Sequence, residues 1–410
     1  MTGANTADYR SCGEYEEVRI PIALRTDLVD TEQGVKITAL GKEAYYGGHV
    51  ACVTVAGGQG SRLGWSGPKG TFSFGEQRKT LYQFHAGKIR RLSERYGVSI
   101  PWILMTSSHT HQATCNYFEE HSFLGLPQDS VFFIEQGSLP VLSRESRAPL
   151  TDGDRPLMAP NGHGGFLISS GVRDVLLHLQ AEGIRHIVYN QVDNLLCRYE
   201  DPLFVGYSIQ AATAVCLKLF CKRVPEERLG TLLRHKGVNC ILEYSEIPPE
   251  IAGERFTNGE LRYRWGNPSM YCFSLPSILN SWSEFSSLPV HYVEKIVPCG
   301  GNPVPALKAE RYIHDAFGRI LSFSGLVVDP EDEFAPIKGA TGNESVEDAP
   351  VRLSRAYRRW LAQAEITVGD EWRIEMDPGE FAVAEDVCDR KDQILSRAKL
   401  YPDRKVMYLS

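Results

Sequence analysis

From Val50 onward, short apolar runs alternate with amphipathic stretches. "VACVTVA" at 50–56 is valine-rich and offers no polar face, the pattern of a strand buried on both sides. "IPWILMTS" at 100–107, "SVFFIEQ" at 130–136 and "IRHIVYNQVDN" at 184–194 read the same way. Between them, the spacing of Leu81, Phe84, Ile89 and Leu92 predicts a helix from a Thr80 cap to about Tyr96. "HTHQATCNYFEEH" at 109–121 and "SSGVRDVLLHLQAEG" at 169–183 predict two more, the latter with a serine start and a glycine stop. Strands separated by helices imply βαβ units and a mostly parallel sheet, whose ligands bind beyond the carboxyl ends of the strands. The glycine-rich 56–70 stretch, Gln136 and Asp193 all fall at such ends.

Past Thr213 the pattern changes. "TAVCLKLF", "GTLLRHKGVNCILEY" and "FTNGELRYRWG" read as strands joined by tight turns, with Asn258-Gly259 a hairpin signal. They predict an antiparallel extension of the parallel core. After Pro350, "VRLSRAYRRWLAQAE" reads as a helix and "EWRIEMDPGEFAVAEDV" as strand-like. The expected organisation is therefore a short N-terminal segment (1–45), a catalytic domain (46–345) and a small C-terminal domain (346–410).

Composition narrows the partners. A formal net charge of −7 argues against nucleic acid or an anionic membrane surface, and no apolar run approaches a membrane span. The first 17 residues lack a basic-then-apolar signal pattern. The 10 cysteines form no C-x-x-C, and Cys52, Cys216 and Cys240 lie in apolar runs, so they read as reduced, structural thiols of a cytoplasmic protein. His109 and His111 read as a helix start; no carboxylate or cysteine nearby completes a metal site.

The chemistry concentrates in "VAGGQGSRLGWSGPKG", residues 55–70. A strand, a glycine loop and a helix make a phosphate cradle, because glycine lets backbone N–H groups approach a ligand closely. The dinucleotide pattern fails: Leu63 stands where the third glycine belongs. The P-loop pattern fails too, since Gly70 rather than Ser or Thr follows Lys69. Glycine richness alone is equally that of a flexible surface loop. Arg62 and Lys69 set two cations inside a loop already rich in donors, which favours an anion.

"AGGQGSRLG…PKG" resembles the signature loop of the eukaryotic-type UDP-sugar pyrophosphorylases, and the continuation resembles the UDP-N-acetylglucosamine branch. "KTLYQFHAGKI", "MTSSHT", "FFIEQGSLP", "MAPNGHGG", "VDN", "DPLFVGY", "EYSEI", "GNPSMYCF" and "EDEFAPIK" follow in the family's order, from about Lys42 to Ala340. The resemblance implies a Rossmann-like, GT-A-like nucleotidyltransferase fold. It implies transfer of uridylyl from UTP to a sugar 1-phosphate by in-line attack on the α-phosphorus, with Mg²⁺ or Mn²⁺. No nucleophile–base arrangement in the sequence points elsewhere. A nucleotide-binding regulator with a decayed site would require losses in the loop or at Lys338, and there are none.

By the same resemblance, Ala56, Gly57, Gly58 and Gln59 meet the uracil and ribose side of UTP, Gln136 reads uracil, and Gly162 approaches base or ribose. Arg62, Lys69 and Lys338 are the catalytic cations on the phosphates. Asp193 is the metal candidate, although "VDN" by itself is equally an ordinary strand-end turn. His163, Asn194, Glu243, Tyr244, Asn267 and Lys308 fall on the sugar-phosphate side. His163 departs from the N-acetylglucosamine branch, which has asparagine there, towards UDP-glucose and broad-specificity enzymes. The resemblance therefore points first to N-acetylglucosamine 1-phosphate, with a UDP-glucose or broad-specificity UDP-sugar enzyme as the alternative.

Overall fold

The computed structural model describes residues 14–410; residues 1–13, the start of the expected N-terminal segment and with them Cys12, lie outside it. Four of the predicted strands, Val50–Val55, Trp102–Thr106, Val131–Glu135 and His186–Gln191, run parallel. Val50–Val55 lies between Trp102–Thr106 and His186–Gln191, and its interior residues are fully buried because helices cover both faces. The connecting helix Leu81–Tyr96 starts as its sequence predicts. Thr80 Oγ1 accepts the Gln83 N–H, Gln83 Oε1 accepts the Thr80 N–H, and Gly97 ends the helix at φ 65°.

The sheet then becomes mixed. Tyr271–Ser274, too short to stand out in the sequence, pairs antiparallel with both His186–Gln191 and Val215–Cys221. Val215–Cys221 continues parallel to Phe323–Val327 and antiparallel to Trp265–Asn267. The hairpin of this extension turns at Lys236-Gly237, both at positive φ, between Gly230–His235 and Val238–Leu242. Asn258-Gly259 makes a tight turn closed by a single bridge, Arg255 to Leu261, and not the predicted hairpin.

The flanking segments are built into this body. Tyr15–Glu16 and Ile22–Leu24 add to the sheet. Helix Glu32–Tyr46 lies on helix Pro202–Ala211 so closely that a Cβ at Gly206 would stand 1.8 Å from the Ile37 carbonyl oxygen. At the other end, helix Asp348–Gln363 places Leu353, Tyr357 and Trp360 in the same hydrophobic cluster as Tyr82, Phe84 and Leu195. Strand Arg373–Met376 forms as predicted, but the following "AVAEDV" becomes helix Ala384–Asp389. Asp386, fully buried, accepts the N–H groups of Ala382 and Val383 and so caps a helix where alternation suggested a strand. The nine cysteines among the described residues are free thiols, and no described helix is long and apolar enough to cross a membrane.

Gly206→Ala should part the two packed helices and cost about 1–3 kcal/mol; an unchanged urea midpoint would refute so close a contact.

Candidate active site

Parallel pairing brings the chemistry to one edge. Val55 is in register with both Gln191 and Met105, and Thr106 with Glu135. The glycine loop, Asp193 and Gln136 therefore emerge side by side. The loop folds back on itself through Lys69 N–H to Gly58 O (3.0 Å) and Gly60 N–H to Gly67 O (3.1 Å). This return swings Lys69 inward, where Nζ donates to Asp193 Oδ2 at 2.8 Å with both residues largely buried. A Cβ at Gly58 would meet no atom within 4 Å, so that backbone faces open cleft. Gly57 is tighter: its added Cβ would stand 3.0 Å from Gln136 Nε2.

A cavity of about 210 Å³ lies here, walled by Gly57–Gly60, Arg62, Lys69, Asp193 and Lys338. Burial pushes the Asp193 carboxyl up, but Lys69, Lys338 and Arg62 together hold it below the usual carboxylate range. Three cations, two from the glycine loop and one from the segment of Lys338, thus face one carboxylate, an excess suited to a polyanion. Lys338 Nζ rests 3.0 Å from Glu344 and above the Phe334 ring.

The turn carrying Asp193 is fastened from behind. His85 bonds to the Val192 carbonyl (2.8 Å), and Lys88 Nζ donates to the carbonyls of Leu195 and Cys197 (2.6 and 2.9 Å). Burial lowers these groups to about 4 and about 8. Asn194, expected on the sugar side, is instead part of this fastening. Its amide donates to the Glu333 carbonyl, its oxygen accepts the Ala335 and Leu196 N–H groups, and the Ile337 N–H reaches the Asp193 carbonyl. Those bonds tie the segment bearing Lys338 to the strand end bearing Asp193. Sequence reading missed His85 and Lys88. Their signal was two polar residues three apart on a helix face otherwise filled by Leu81, Phe84 and Leu92.

A second cavity of about 570 Å³ shares Gly57, Gly58 and Gln59 with the first and continues past Gln136, Gly162, His163 and Lys308. Gly162 sits at φ 81°, and a Cβ there would lie 2.6 Å from the Arg311 carbonyl oxygen; the glycine serves the backbone contact behind the cleft. His163 Nδ1 accepts the Ile313 N–H at 3.1 Å, and burial beside cationic His291 lowers the ring to about 4. The ring is therefore neutral near pH 7 and carries its proton on Nε2.

Glu243, His314 and His163 each place a potential metal ligand atom within 4.8 Å of the others. A metal on His163 Nε2 would require that proton to move to Nδ1, where the Ile313 N–H already points, so the trio does not fit a metal. Glu243 is raised to about 7 by burial and then by Glu246. Tyr244 is largely exposed. Asn267 is buried, its amide donating to the Tyr271 hydroxyl and its oxygen accepting the Ser269 N–H. Asn267, Tyr244 and Glu243 line neither cavity.

Residues 18–360 match the family described as UDPGP, UTP–glucose-1-phosphate uridylyltransferase. The chain is 35% identical over 337 residues to the UDP-N-acetylhexosamine pyrophosphorylase-like protein 1 of Xenopus tropicalis, covering 77% of this chain but 65% of that relative's length. It is 31% identical over 380 residues to the UDP-N-acetylglucosamine pyrophosphorylase of Saccharomyces cerevisiae, covering 88% and 79% of the two chains. A Trypanosoma brucei uridine diphosphate N-acetylglucosamine pyrophosphorylase in complex with inhibitor superposes at a TM-score of 0.83, with 26% identity over 97% of this chain and 86% of that one. A UDP-glucose phosphorylase structure from the same organism shares the fold at a TM-score of 0.66 and 18% identity, covering 90% and 78%.

Lys69→Met should leave Asp193 short of its nearest cation and cost on the order of 3 kcal/mol near neutral pH. Because the Asp193 pKa is depressed in the fold, the lost stabilisation exists only while the carboxylate is ionised; it disappears as pH falls through that depressed value. Urea denaturation should therefore show the wild-type advantage at pH 7 shrinking at pH 3, whereas an equal gap at both would identify a packing effect.

Proposed function

The chain belongs to the UDPGP family, UTP–glucose-1-phosphate uridylyltransferase, and from that premise we propose that it joins UTP to a sugar 1-phosphate, N-acetylglucosamine 1-phosphate foremost, releasing pyrophosphate. The observation that carries this reading is the gathering of Arg62, Lys69 and Lys338 around Asp193 beside the open backbone of Gly58. A phosphate oxygen of the sugar phosphate attacks the α-phosphorus of UTP as the bond to the β-phosphate oxygen breaks, so no bond to the protein forms. Work of this kind is positioning and charge neutralisation. Gly57, Gly58 and the inner Gln136 amide form the nucleotide wall, with Ala56 and Gln59 flanking it. Arg62 offers a bidentate fork to phosphate, and Lys69 and Lys338 offer point charges. Gly162 flanks base or ribose, and Lys308 and His163 belong to the continuing sugar end, with Glu243 close behind.

Among the described residues Asp193 is the sole carboxylate lining the smaller cavity, and it stays ionised at neutral pH, which fits Mg²⁺ or Mn²⁺ shared between one carboxylate and substrate phosphates. Bound there, the ion would neutralise charge on the phosphate oxygens. The relatives and the T. brucei structure named for N-acetylated UDP-sugars favour N-acetylglucosamine. His163 favours some use of glucose or galactose 1-phosphate, because its single N–H can meet either an acetamide carbonyl or a hydroxyl. The net charge of −7 speaks against nucleic acid or an anionic membrane as partner, and the free thiols among the described residues favour the cytoplasm.

The test is pyrophosphate release from UTP with a panel of sugar 1-phosphates; no release with any sugar would overturn the reading. Lys338→Ala should lower kcat on the order of 10²-fold with little change in KM, as expected of a cation that acts on developing charge. His163→Asn should raise the ratio of kcat/KM for N-acetylglucosamine 1-phosphate over glucose 1-phosphate severalfold, within the roughly 10–200-fold that one modest contact supplies.

A further inference from the structure

Behind the sugar end stands a buried charge cluster that the transfer chemistry does not use. His291, at the start of strand His291–Cys299, is buried, with Nδ1 2.7 Å from Glu246 Oε1 and Nε2 2.8 Å from Asp315 Oδ2. Ionised carboxylates only accept hydrogen bonds, so both nitrogens donate and the ring is an imidazolium. Burial works against that charge, but the two carboxylates outweigh it and lift the ring to about 9. Glu243 and Glu310 add acidity nearby. Without the cation, Glu246 and Asp315 would lose the positive charge that offsets their mutual repulsion.

The cluster connects to both sides of the sugar end. Glu246 closes a turn on Glu243: the N–H groups of Glu246 and Ile247 donate to the Glu243 carbonyl at 2.9 and 3.1 Å. Pinning Glu246 therefore fixes the turn that carries Glu243, whose carboxyl lies 3.6 Å from His314 Nε2. On the other side, Tyr312 stacks on His291 at 4.2 Å and on His163 at 5.5 Å between ring centroids. His163 lines the cleft, whereas His291 lines neither cavity.

We propose that His291, clamped between Glu246 and Asp315, is a positioning residue that sets Glu243 and the Tyr312–His163 stack for the sugar 1-phosphate. This rests on the proposed transferase reading. It acts through those residues and touches no substrate. The Lys69–Asp193 pair lines the smaller cavity, which His163 and Lys308 do not reach, so the effect should fall mainly on the sugar phosphate.

His291→Gln keeps hydrogen-bonding capacity and loses the charge. The variant should raise KM for N-acetylglucosamine 1-phosphate on the order of tenfold or more, as misplacement of a binding group does, while the Kd for UTP by titration calorimetry stays within about twofold. Adding Glu246→Gln should recover part of the loss by removing one unpaired carboxylate, a rescue that a merely structural role would not give. Glu246→Gln alone should raise the same KM less, and it serves if His291→Gln does not fold. An unchanged sugar KM in either folded single variant, or UTP Kd and sugar KM moving together, overturns the proposal. Glu243→Gln separates the two levels. If it raises the sugar KM while His291→Gln does not, positioning by His291 falls alone; if it changes nothing, the sugar-end assignment falls and takes the proposal with it.

Discussion

The ion pair between Lys69 and Asp193 imposes the main constraint on this molecule. An ammonium and a carboxylate 2.8 Å apart, mostly out of water, hold their charges only if both backbones are fixed. One comes from a loop after Val50–Val55, the other from the turn after His186–Gln191. Parallel pairing puts those two strand ends in register. The bonds from His85, Lys88 and Asn194 then immobilise the Asp193 turn, so polar groups buried behind the site hold the one that faces it.

The same logic extends one layer further. Asn194 reaches the backbone of Glu333, whose carboxylate pairs with Lys218, and Lys218 also pairs with Asp201. Arg25 joins Asp201 from the N-terminal side. Lys218 lies in the core strand Val215–Cys221, only 2% exposed, so this buried network joins the sheet, the N-terminal segment and the chain leading into Lys338. Such networks are poor sources of net stability but strict about geometry. Here the geometry they dictate is where Lys338 sits relative to Asp193.

The sugar end is organised differently. Stacked rings and a buried imidazolium replace the fixed strand ends, and His163 receives its tautomer from a backbone N–H rather than from a side chain. A neutral ring with one fixed donor is a narrower recognition element than a free histidine.

The sequence by itself determined the parallel core, its order of strands and helices, the cap at Thr80 and the position of the glycine loop, because these depend on periodicity and local turn chemistry. Gln136 and Asp193 were also legible, since each closely follows a strand and parallel strands end together, and Arg62 and Lys69 stood out as cations inside the glycine loop. The structural bonds of Asn194 and the close backbone approach at Gly162 were not, because the partners at Glu333, Ala335 and Arg311 are more than a hundred residues away. Helix Ala384–Asp389 escaped because the buried Asp386 cap overrode an alternating pattern. The clamp of His291 by Glu246 and Asp315 was invisible for the same reason. A buried charge is tolerated only when opposite charges converge on it from distant segments, and that convergence was decided by the tertiary structure alone.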